Sequence, residues 1–481
     1  MTHRLDTISL GKIVQVRERL MRATAQGKRV FRFESGDPSF DLAVVAPHVV
    51  DAMTDAARKG KTHYVPTSGI PELRAAAVRK LARVNGIALP GPDCVTITAG
   101  AMHALHITFA ALCDVGDEVL LPDPMWTEVA ENVRLAGGVA VGVPLRADEG
   151  YHYSAAAIEA RVTPRTKAIF VNTPHNPTGA VLDEAALLAI LDVAERRGLW
   201  VVADEAYEDV LFEPHVHHSL AALAQRTYGV DAAIAQRVIT IHSFSKSHAM
   251  PGVRIGWVAS PHPLIDERLP KIARCTVNNV NSLAQWGALA ALEGPQTHLA
   301  LMRHAYAERR ALMLDALATV DGVRAFTPEG GFFVWAELDR AVYGRLGVRD
   351  ADALCDKLAD VGLGSAPGIA FAVDRTIHHR DDALRFSFSC DTAMVREGVG
   401  LLATQGGGEP VAGAPERGGS AGRASTSAPQ PTRAAEPAMV ASARGMPVFP
   451  ASAVRGDPAS SLLEAMSLQP PQPRVRESAM L

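Results

Sequence analysis

The chain has 481 residues, of which 48% are hydrophobic and 21% charged, and its formal net charge is −4. This is the composition of a globular protein with room for two or three domains, and the charge gives no general attraction to nucleic acid or to an anionic membrane. Five cysteines, an odd number without CxxC spacing, indicate reduced thiols rather than a disulfide framework or a zinc site, so we expect no metal.

The first twenty residues, MTHRLDTISLGKIVQVRERL, have no long apolar core and do not resemble a secretory signal. No apolar run along the chain approaches the roughly 18 residues that cross a bilayer. We therefore expect a cytoplasmic protein with neither a membrane partner nor a nucleic-acid partner.

Beyond residue 90, short apolar runs alternate with helical patterns. The predicted strands are 94–98, 117–122, 166–172, 199–205, 237–243 and 254–260. Helical patterns follow the first three strands, at 101–113, 127–137 and 183–198. This alternation indicates βαβ units and a largely parallel, buried sheet, so the predicted fold class is α/β.

After about residue 290, long helices and two alternating strands, 330–338 and 383–389, indicate a smaller α+β domain. From 405 to 481 the chain is dominated by Gly, Ala, Ser, Pro and Arg, a composition that cannot bury enough apolar area to offset its ordering entropy. We predict a disordered tail there, with a short helix near 459–468. The predicted domains are an N-terminal segment (1–45) that joins the small domain, a large domain (46–290) and a small domain (291–404).

Polar residues follow several predicted strands, at the sheet edge where open α/β sheets bind ligands. Residues 99–102 open a helix after the first strand, and their backbone N–H groups are free to hold a phosphate. Later strand ends carry Asn176, Asp204, Tyr207, Lys246 and Arg254. Each residue has an ordinary structural explanation by itself. Together they supply a phosphate cradle, a carboxylate, a phenol, a lysine and an arginine.

This set matches the needs of pyridoxal phosphate. Its aldehyde requires a lysine, its phosphate requires amides and a cation, and its ring nitrogen requires an acid. Burial depresses the pKa of a lysine, and the neutral amine can then form a Schiff base. The chain resembles the class I/II aminotransferases of the fold-type I pyridoxal-phosphate superfamily over roughly residues 10–402. The motifs that carry the resemblance are SGDPSFD, THYVPTSGIPELRAA, TAGAMHAL, GDEVLLPDPMW, NTPHNPTGAVL, ADEAYED, SFSKSHAMPGVRIGW, GGFFVWAEL and LRFSFS.

The resemblance implies a role for each cofactor-binding residue. Lys246 would form the Schiff base and shuttle the proton, and Asp204 would pair with the ring nitrogen. Tyr207 and Asn176 would hydrogen-bond the phenolic oxygen of the ring, and Trp126 would stack on its face. The implied phosphate-binding residues are Gly100, Ala101, Met102, Ser243, Ser245 and Arg254.

The resemblance also implies how the substrate is held. Arg385 would bind the α-carboxylate through a bidentate pair. Asn176 would contact the substrate as well, and Gly36 would let it approach the chain closely. Tyr64 would reach the phosphate of the neighbouring subunit, which implies a homodimer with shared active sites.

The implied activity is that of an aminotransferase, which moves an amino group from an amino acid to a 2-oxo acid by a ping-pong mechanism. Met102 stands where the aspartate-using branch carries a lysine, and the next residue, His103, is mostly neutral at pH 7. We therefore expect apolar or aromatic donors, contacted by Met102, Phe332 and Phe333, to be favoured over aspartate.

Two alternatives concern the class of protein. A lyase, decarboxylase or oxidase on the same scaffold stays open, because the Schiff base permits cleavage of any bond at Cα. A regulatory module fused to a helix-turn-helix reader is disfavoured, because neither the first ten residues nor the tail has the pattern of such a reader.

Overall fold

The structure is a computed structural model that describes residue 8 and residues 11–38, 45–373 and 382–406. Its helices are α1 (Lys12–Ala25), α2 (Pro47–Arg58), α3 (Pro71–Lys80), α4 (Ala101–Leu112), α5 (Thr127–Leu135), α6 (Ala155–Glu159), α7 (Glu184–Arg197), α8 (Leu220–Tyr228), α9 (Ala233–Gln236), α10 (Pro263–Thr276), α11 (Ser282–Glu293), α12 (Thr297–Ala318), α13 (Arg340–Leu346), α14 (Ala351–Asp360) and α15 (Thr392–Gly406). Its strands are β1 (Val95–Thr98), β2 (Glu118–Asp123), β3 (Val139–Pro144), β4 (Thr166–Asn172), β5 (Trp200–Asp204), β6 (Val238–Ser243), β7 (Gly256–Ala259), β8 (Val323–Ala325), β9 (Phe333–Leu338), β10 (Ala366–Pro367) and β11 (Ala383–Ser387). The predicted disordered tail lies outside the described residues from residue 407 onward.

Seven strands form a large sheet in the order β1-β7-β6-β5-β4-β2-β3. β6, β5, β4, β2 and β3 are parallel, whereas β7 is antiparallel to both β1 and β6. Every strand predicted for the large domain is present, with small differences at the ends. The sequence pattern missed β3, an edge strand that is partly exposed and interrupted by Gly142.

Helices cover both faces of the large sheet, because its buried strands are apolar on both sides. In β5, Val201 and Ala203 belong to the apolar core on one face, where α7 and α8 pack. Val202 belongs to the core on the other face, with α4, α5 and α10. The predicted α/β fold class, with a mostly parallel sheet flanked by helices, is confirmed.

The helix between β4 and β5 shows how local sequence sets these elements. An Asp183 side-chain oxygen accepts a hydrogen bond from the backbone N–H of Ala186 at 2.8 Å, which caps the start of α7. Gly198 ends α7 in the left-handed conformation, at φ +67°. The chain therefore turns directly into β5, whose last residue is Asp204.

A second, antiparallel sheet has the order β10-β11-β9-β8. Val16, Leu20 and Phe33 of the N-terminal segment are buried in its apolar core. Lys12 pairs with Asp352 of α14 at 2.5 Å. These contacts agree with an N-terminal segment that joins the small domain, while the limits 1–45, 46–290 and 291–404 stay predictions. Over the described part of the chain, no helix has both the length and the apolar character needed to cross a membrane.

Candidate active site

A cavity of about 460 Å³ opens where β4, β5 and β6 end. The strand pairing explains its position, since Asn172, Asp204 and Ser243 are the last residues of three neighbouring parallel strands. The predicted site residues in its lining are Gly36, Ala101, Met102, Trp126, Asn176, Asp204, Tyr207, Ser243, Ser245, Lys246, Arg254 and Arg385. The fold thus brings together residues that are up to about 350 positions apart in the chain.

Lys246 follows β6 and projects into the cavity. Its Nζ atom donates a hydrogen bond to the carbonyl oxygen of Gly36 at 2.6 Å and lies 5.6 Å from the centre of the Tyr207 ring. Burial and, second, the charge of Arg385 lower the pKa of Lys246 to about 8. About a tenth of the amine is therefore neutral at pH 7, which suits a nucleophile.

Asp204 is buried at the end of β5, and one of its carboxylate oxygens accepts a hydrogen bond from the N–H of Ala206 at 3.1 Å. Burial raises the pKa of Asp204 to about 6, although this hydrogen bond opposes the shift. Asn172 bonds to both neighbouring segments: its Nδ2 donates to the Asp204 carbonyl at 3.1 Å, and its Oδ1 accepts from the Asn176 N–H at 3.0 Å. The sequence analysis missed Asn172, although it ends a strand in register with Asp204.

The residues predicted to hold the phosphate lie at the start of α4. Gly100 has φ +79°, and a Cβ added there would lie 2.6 Å from an Nη atom of Arg254. Glycine is therefore required both by the backbone and by the close approach of the arginine. Ala101 and Met102 line the cavity in the first turn, where helical N–H groups lack intrahelical partners. Arg254 is exposed and has no carboxylate partner within the described ranges, so its guanidinium can pair with an anion.

Arg385 lies in β11 of the small sheet and is buried against the rings of Phe333 and Phe371. One Nη atom donates to Asn176 Oδ1 at 2.9 Å, and the other donates to the carbonyl oxygen of Glu34 at 2.7 Å. Its Nε atom has no hydrogen-bond partner among the residues described. A buried guanidinium without a carboxylate partner is costly, and burial lowers its pKa to about 10. A substrate carboxylate would accept hydrogen bonds from this guanidinium and balance its charge.

Tyr207 and Trp126 add the aromatic parts of the site. Burial raises the pKa of Tyr207, so the phenol is neutral and can donate a hydrogen bond. Trp126 lies directly before α5, and its side chain is hydrogen-bonded to Glu128, a cavity residue that the sequence analysis did not single out. Gly36 fits closely at its position, because a Cβ there would lie 3.0 Å from the Phe333 ring.

Tyr64, His103 and Phe332 do not line the cavity. Tyr64 is exposed to 87% and away from the lining, where a side chain offered to a second subunit would be. His103 is buried, its Nε2 lies 2.8 Å from Thr276 Oγ1, and burial lowers its pKa to about 4. It is therefore neutral and cannot replace the missing lysine. Phe332, predicted to contact the substrate, packs behind Tyr207 instead, and only Phe333 of that pair reaches the cavity.

A buried ionic cluster lies at the ends of the same strands, formed by residues whose neighbours in sequence line the site. Glu208 is bonded to Lys80 and to His242 Nδ1, the latter at 3.1 Å. Glu205 pairs with His217 at 3.1 Å. Although burial opposes it, Lys80 and His242 hold the pKa of Glu208 well below its ordinary range. Because a buried charge requires a partner, removal of one member of the cluster would leave an uncompensated charge next to the strand ends.

These groups fit pyridoxal phosphate. The Gly100 turn and Arg254 offer N–H groups and a free cation to a phosphate, and buried Asp204 offers a carboxyl to a ring nitrogen. Lys246 offers an amine of lowered pKa. A family model described as aminotransferase class I and II matches residues 28–402. The chain belongs to this family. It is a pyridoxal-phosphate-dependent aminotransferase, as the resemblance implied.

Known aminotransferases align with this chain over most of its length and most of their own. A probable aspartate/prephenate aminotransferase of Aquifex aeolicus is 35% identical over 379 residues, 78% of this chain and 90% of the relative. An arginine–pyruvate transaminase of Pseudomonas aeruginosa is 34% identical over 363 residues, 75% and 87% of the two chains. The crystal structure of an aspartate aminotransferase from Rhizobium meliloti superposes with a TM-score of 0.76 at 28% identity, covering 85% of this aminotransferase and 98% of that chain. The fold-type I assignment is thereby confirmed.

Proposed function

We propose that this aminotransferase favours apolar or aromatic amino donors over aspartate and works by a ping-pong mechanism. The relatives' names state different substrates, aspartate and prephenate for one and arginine and pyruvate for another, so the donor has to be argued from this chain's cavity. Met102 carries the proposal. It lines the cavity, and its sulfur accepts a hydrogen bond from Asn132 Nδ2 at 3.3 Å, which holds the side chain against α5.

The cavity wall around Met102 supports an apolar donor. Ile13, Met102 and Phe333 all line the cavity. A distal carboxylate that enters such a wall loses hydration and gains no cation from Met102 or from neutral His103. An apolar side chain buried there gains about 25 cal/mol for each Å² removed from water.

We assign the steps of the reaction to residues of the cavity. Pyridoxal phosphate, when bound, supplies an aldehyde that accepts the amino group and a ring that withdraws electrons from the substrate Cα. Arg385 binds the α-carboxylate and orients Cα towards Lys246. Lys246 Nζ removes the Cα proton as general base, since its lowered pKa leaves it partly neutral. Asp204 holds the proton of the ring nitrogen, and Tyr207 donates to the phenolic oxygen.

A donor survey tests the preference. The loaded enzyme is assayed with phenylalanine, methionine, leucine, alanine and aspartate, with pyruvate or 2-oxoglutarate as acceptor. We expect kcat/KM for aspartate to be the lowest, and Met102→Lys to raise it by about tenfold while Met102→Leu does not. Parallel lines in double-reciprocal plots would support the two half-reactions. A wild-type kcat/KM for aspartate above all the others would contradict the role of Met102.

We also propose a homodimer in which Tyr64 completes the neighbouring active site. Its exposure supports this, because a tyrosine exposed to 87% has no role within its own cavity. The cytoplasmic location expected from composition stays a prediction.

A further inference from the structure

Glu128 is the negatively charged side chain of α5 that lines the substrate cavity. It stands in the first turn of that helix, two residues after Trp126, whose side chain is hydrogen-bonded to it. Its Oε2 atom is buried and has no hydrogen-bond partner among the residues that the structure describes. A buried carboxylate oxygen without a hydrogen-bond donor is costly, so this atom can accept a hydrogen bond from a bound ligand.

The neighbouring cations do not occupy Glu128 once the substrate has bound. Arg134, the basic residue of the same helix, pairs with Glu131 at 3.2 Å. Arg385 interacts electrostatically with Glu128, but the substrate α-carboxylate takes that guanidinium when it binds. Once the substrate is in place, Glu128 therefore no longer shares the guanidinium of Arg385.

The position of Glu128 relative to Met102 connects it to the substrate side chain. Asn132, one turn further along α5, donates to the Met102 sulfur at 3.3 Å and to the backbone carbonyl of Glu128 at 2.8 Å. The wall that carries a cation in aspartate-using relatives of this fold is thus apolar here and adjoins a carboxyl group.

Two arginines of the lining could act in the opposite sense. Arg17 and Arg32 are exposed, so water and salt screen their charges, and Arg32 already pairs with Glu34 at 2.8 Å. The Oε2 atom of Glu128 is buried, so this carboxyl is screened less than the two arginines, although burial also raises its pKa.

We propose that Glu128 sets the side-chain specificity of this aminotransferase: it rejects a distal carboxylate and accepts a side chain that ends in a positive charge or a hydrogen-bond donor. The inference rests on the proposed function, because it concerns the side-chain end of the same cavity. Its substrates would be amino acids with a long apolar stem, contacted by Met102 and Ile13, and a guanidinium or ammonium tip.

The test compares wild-type holoenzyme with Glu128→Gln and with Glu131→Gln. The first variant keeps an acceptor for Trp126 and removes the charge, while the second removes a charge from the same helix outside the cavity lining. Calorimetry measures the binding of three acids without an amino group, namely 5-guanidinopentanoate, hexanoate and glutarate. Because none of them can be transaminated, binding is read independently of the reaction.

We expect wild type to bind 5-guanidinopentanoate more tightly than hexanoate, and hexanoate more tightly than glutarate, by about tenfold at each step. Glu128→Gln should bring the three affinities together, and Glu131→Gln should leave the order intact. In turnover, kcat/KM for arginine and lysine should fall in Glu128→Gln, and that for glutamate should rise.

Two results would overturn the inference. One is wild-type binding of glutarate as tight as that of hexanoate, which would assign the control to Arg17 or Arg32. The other is an equal change for all three acids in Glu128→Gln, which would place the effect at Arg385 instead of at the side chain. Failure of the proposed function looks different: a kcat/KM for aspartate above those for the apolar donors would contradict the role of Met102, whereas the effect of Glu128→Gln on the three binding affinities would still report on Glu128.

Discussion

At the scale of single residues, the site depends on charges that burial makes unfavourable. Lys246, Asp204 and Arg385 each have a pKa moved by burial towards the neutral form. Each is a residue to which we assign a cofactor or substrate group of opposite charge or a reactive partner. Binding therefore relieves a cost that folding has left in place.

For Lys246 this predicts a pH dependence of cofactor attachment. The neutral amine is the reactive form, and its fraction rises with pH until the pKa of about 8 is passed. The rate of pyridoxal phosphate attachment to cofactor-free protein should therefore rise about tenfold per pH unit below pH 8 and then level off. Stopped-flow absorbance measures the rate, and borohydride followed by mass spectrometry should locate the label on Lys246. A midpoint near pH 10, or a label on another lysine, would refute this.

For Asp204 burial predicts a conflict between stability and activity. The side chain ionises near pH 3.8 when unfolded and near 6 in the folded, cofactor-free protein. Because the folded state binds the proton more tightly, stability falls as pH rises from about 4 to about 6. Asp204→Asn removes this loss, so the cofactor-free variant should be about 3 kcal/mol more stable than wild type at pH 7 and close to wild type at pH 4. Urea unfolding at both pH values measures it.

The same variant should lose activity once loaded with cofactor. An amide cannot hold the ring nitrogen protonated, and we expect kcat to fall by about 10²–10⁴-fold, the scale of losing a positioned acid or base. Activity near that of wild type would show that a residue other than Asp204 keeps the ring nitrogen protonated.

At the scale of elements, the ends of β5 and β6 carry cofactor residues beside members of the ionic cluster. Asp204 and Ser243 line the cavity, and their sequence neighbours Glu205 and His242 belong to the cluster. Adjacent residues of a strand point to opposite faces of the sheet, which explains this division. The cluster, joined to α3 through Lys80, fixes the strand ends that position the acid.

Lys80→Met tests the cluster. It leaves Glu208 buried without its ammonium partner, and removal of one member of a buried pair costs about 3–5 kcal/mol. The matched control is Lys59→Met, because Lys59 forms an exposed pair with Asp55 at 2.7 Å and should change stability by less than about 1 kcal/mol. Chemical denaturation measures both. Equal effects of the two variants would mean that the cluster does not stabilise the sheet.

At the scale of the whole molecule, the proposed homodimer predicts complementation between two defective subunits. In a mixed dimer of Lys246→Ala and Tyr64→Ala chains, one active site would carry both defects and the other neither. A random mixture should therefore recover about a quarter of wild-type activity at limiting cofactor, well above either parent. Light scattering establishes the dimer beforehand. No gain on mixing would place Tyr64 outside the neighbouring site.

Much of this architecture follows from local sequence, because periodicity and turn residues act over short distances. The alternation of apolar runs and helical patterns predicts β4 and α7 almost to the residue, since Asp183 and Gly198 cap the helix by themselves. The polar residues after parallel strands also predict most of the cavity lining, because such strands end at one edge of the sheet. The sequence pattern did not predict the edge strand β3, because its apolar run is partly exposed and is interrupted by Gly142.

Other features were decided by the tertiary structure. From its local sequence, Arg385 is an ordinary strand residue. In the fold it donates a hydrogen bond to Asn176, which is 209 positions away in the chain. Residue spacing does not show that Glu128 lines the cavity, or that Phe333 lines it while Phe332 does not. Both facts depend on how a helix or strand packs against its neighbours. The sequence by itself determined the fold class and the chemistry of the cofactor site. Only packing decided which charges face the substrate, because electrostatic interactions depend on distance and burial and not on order along the chain.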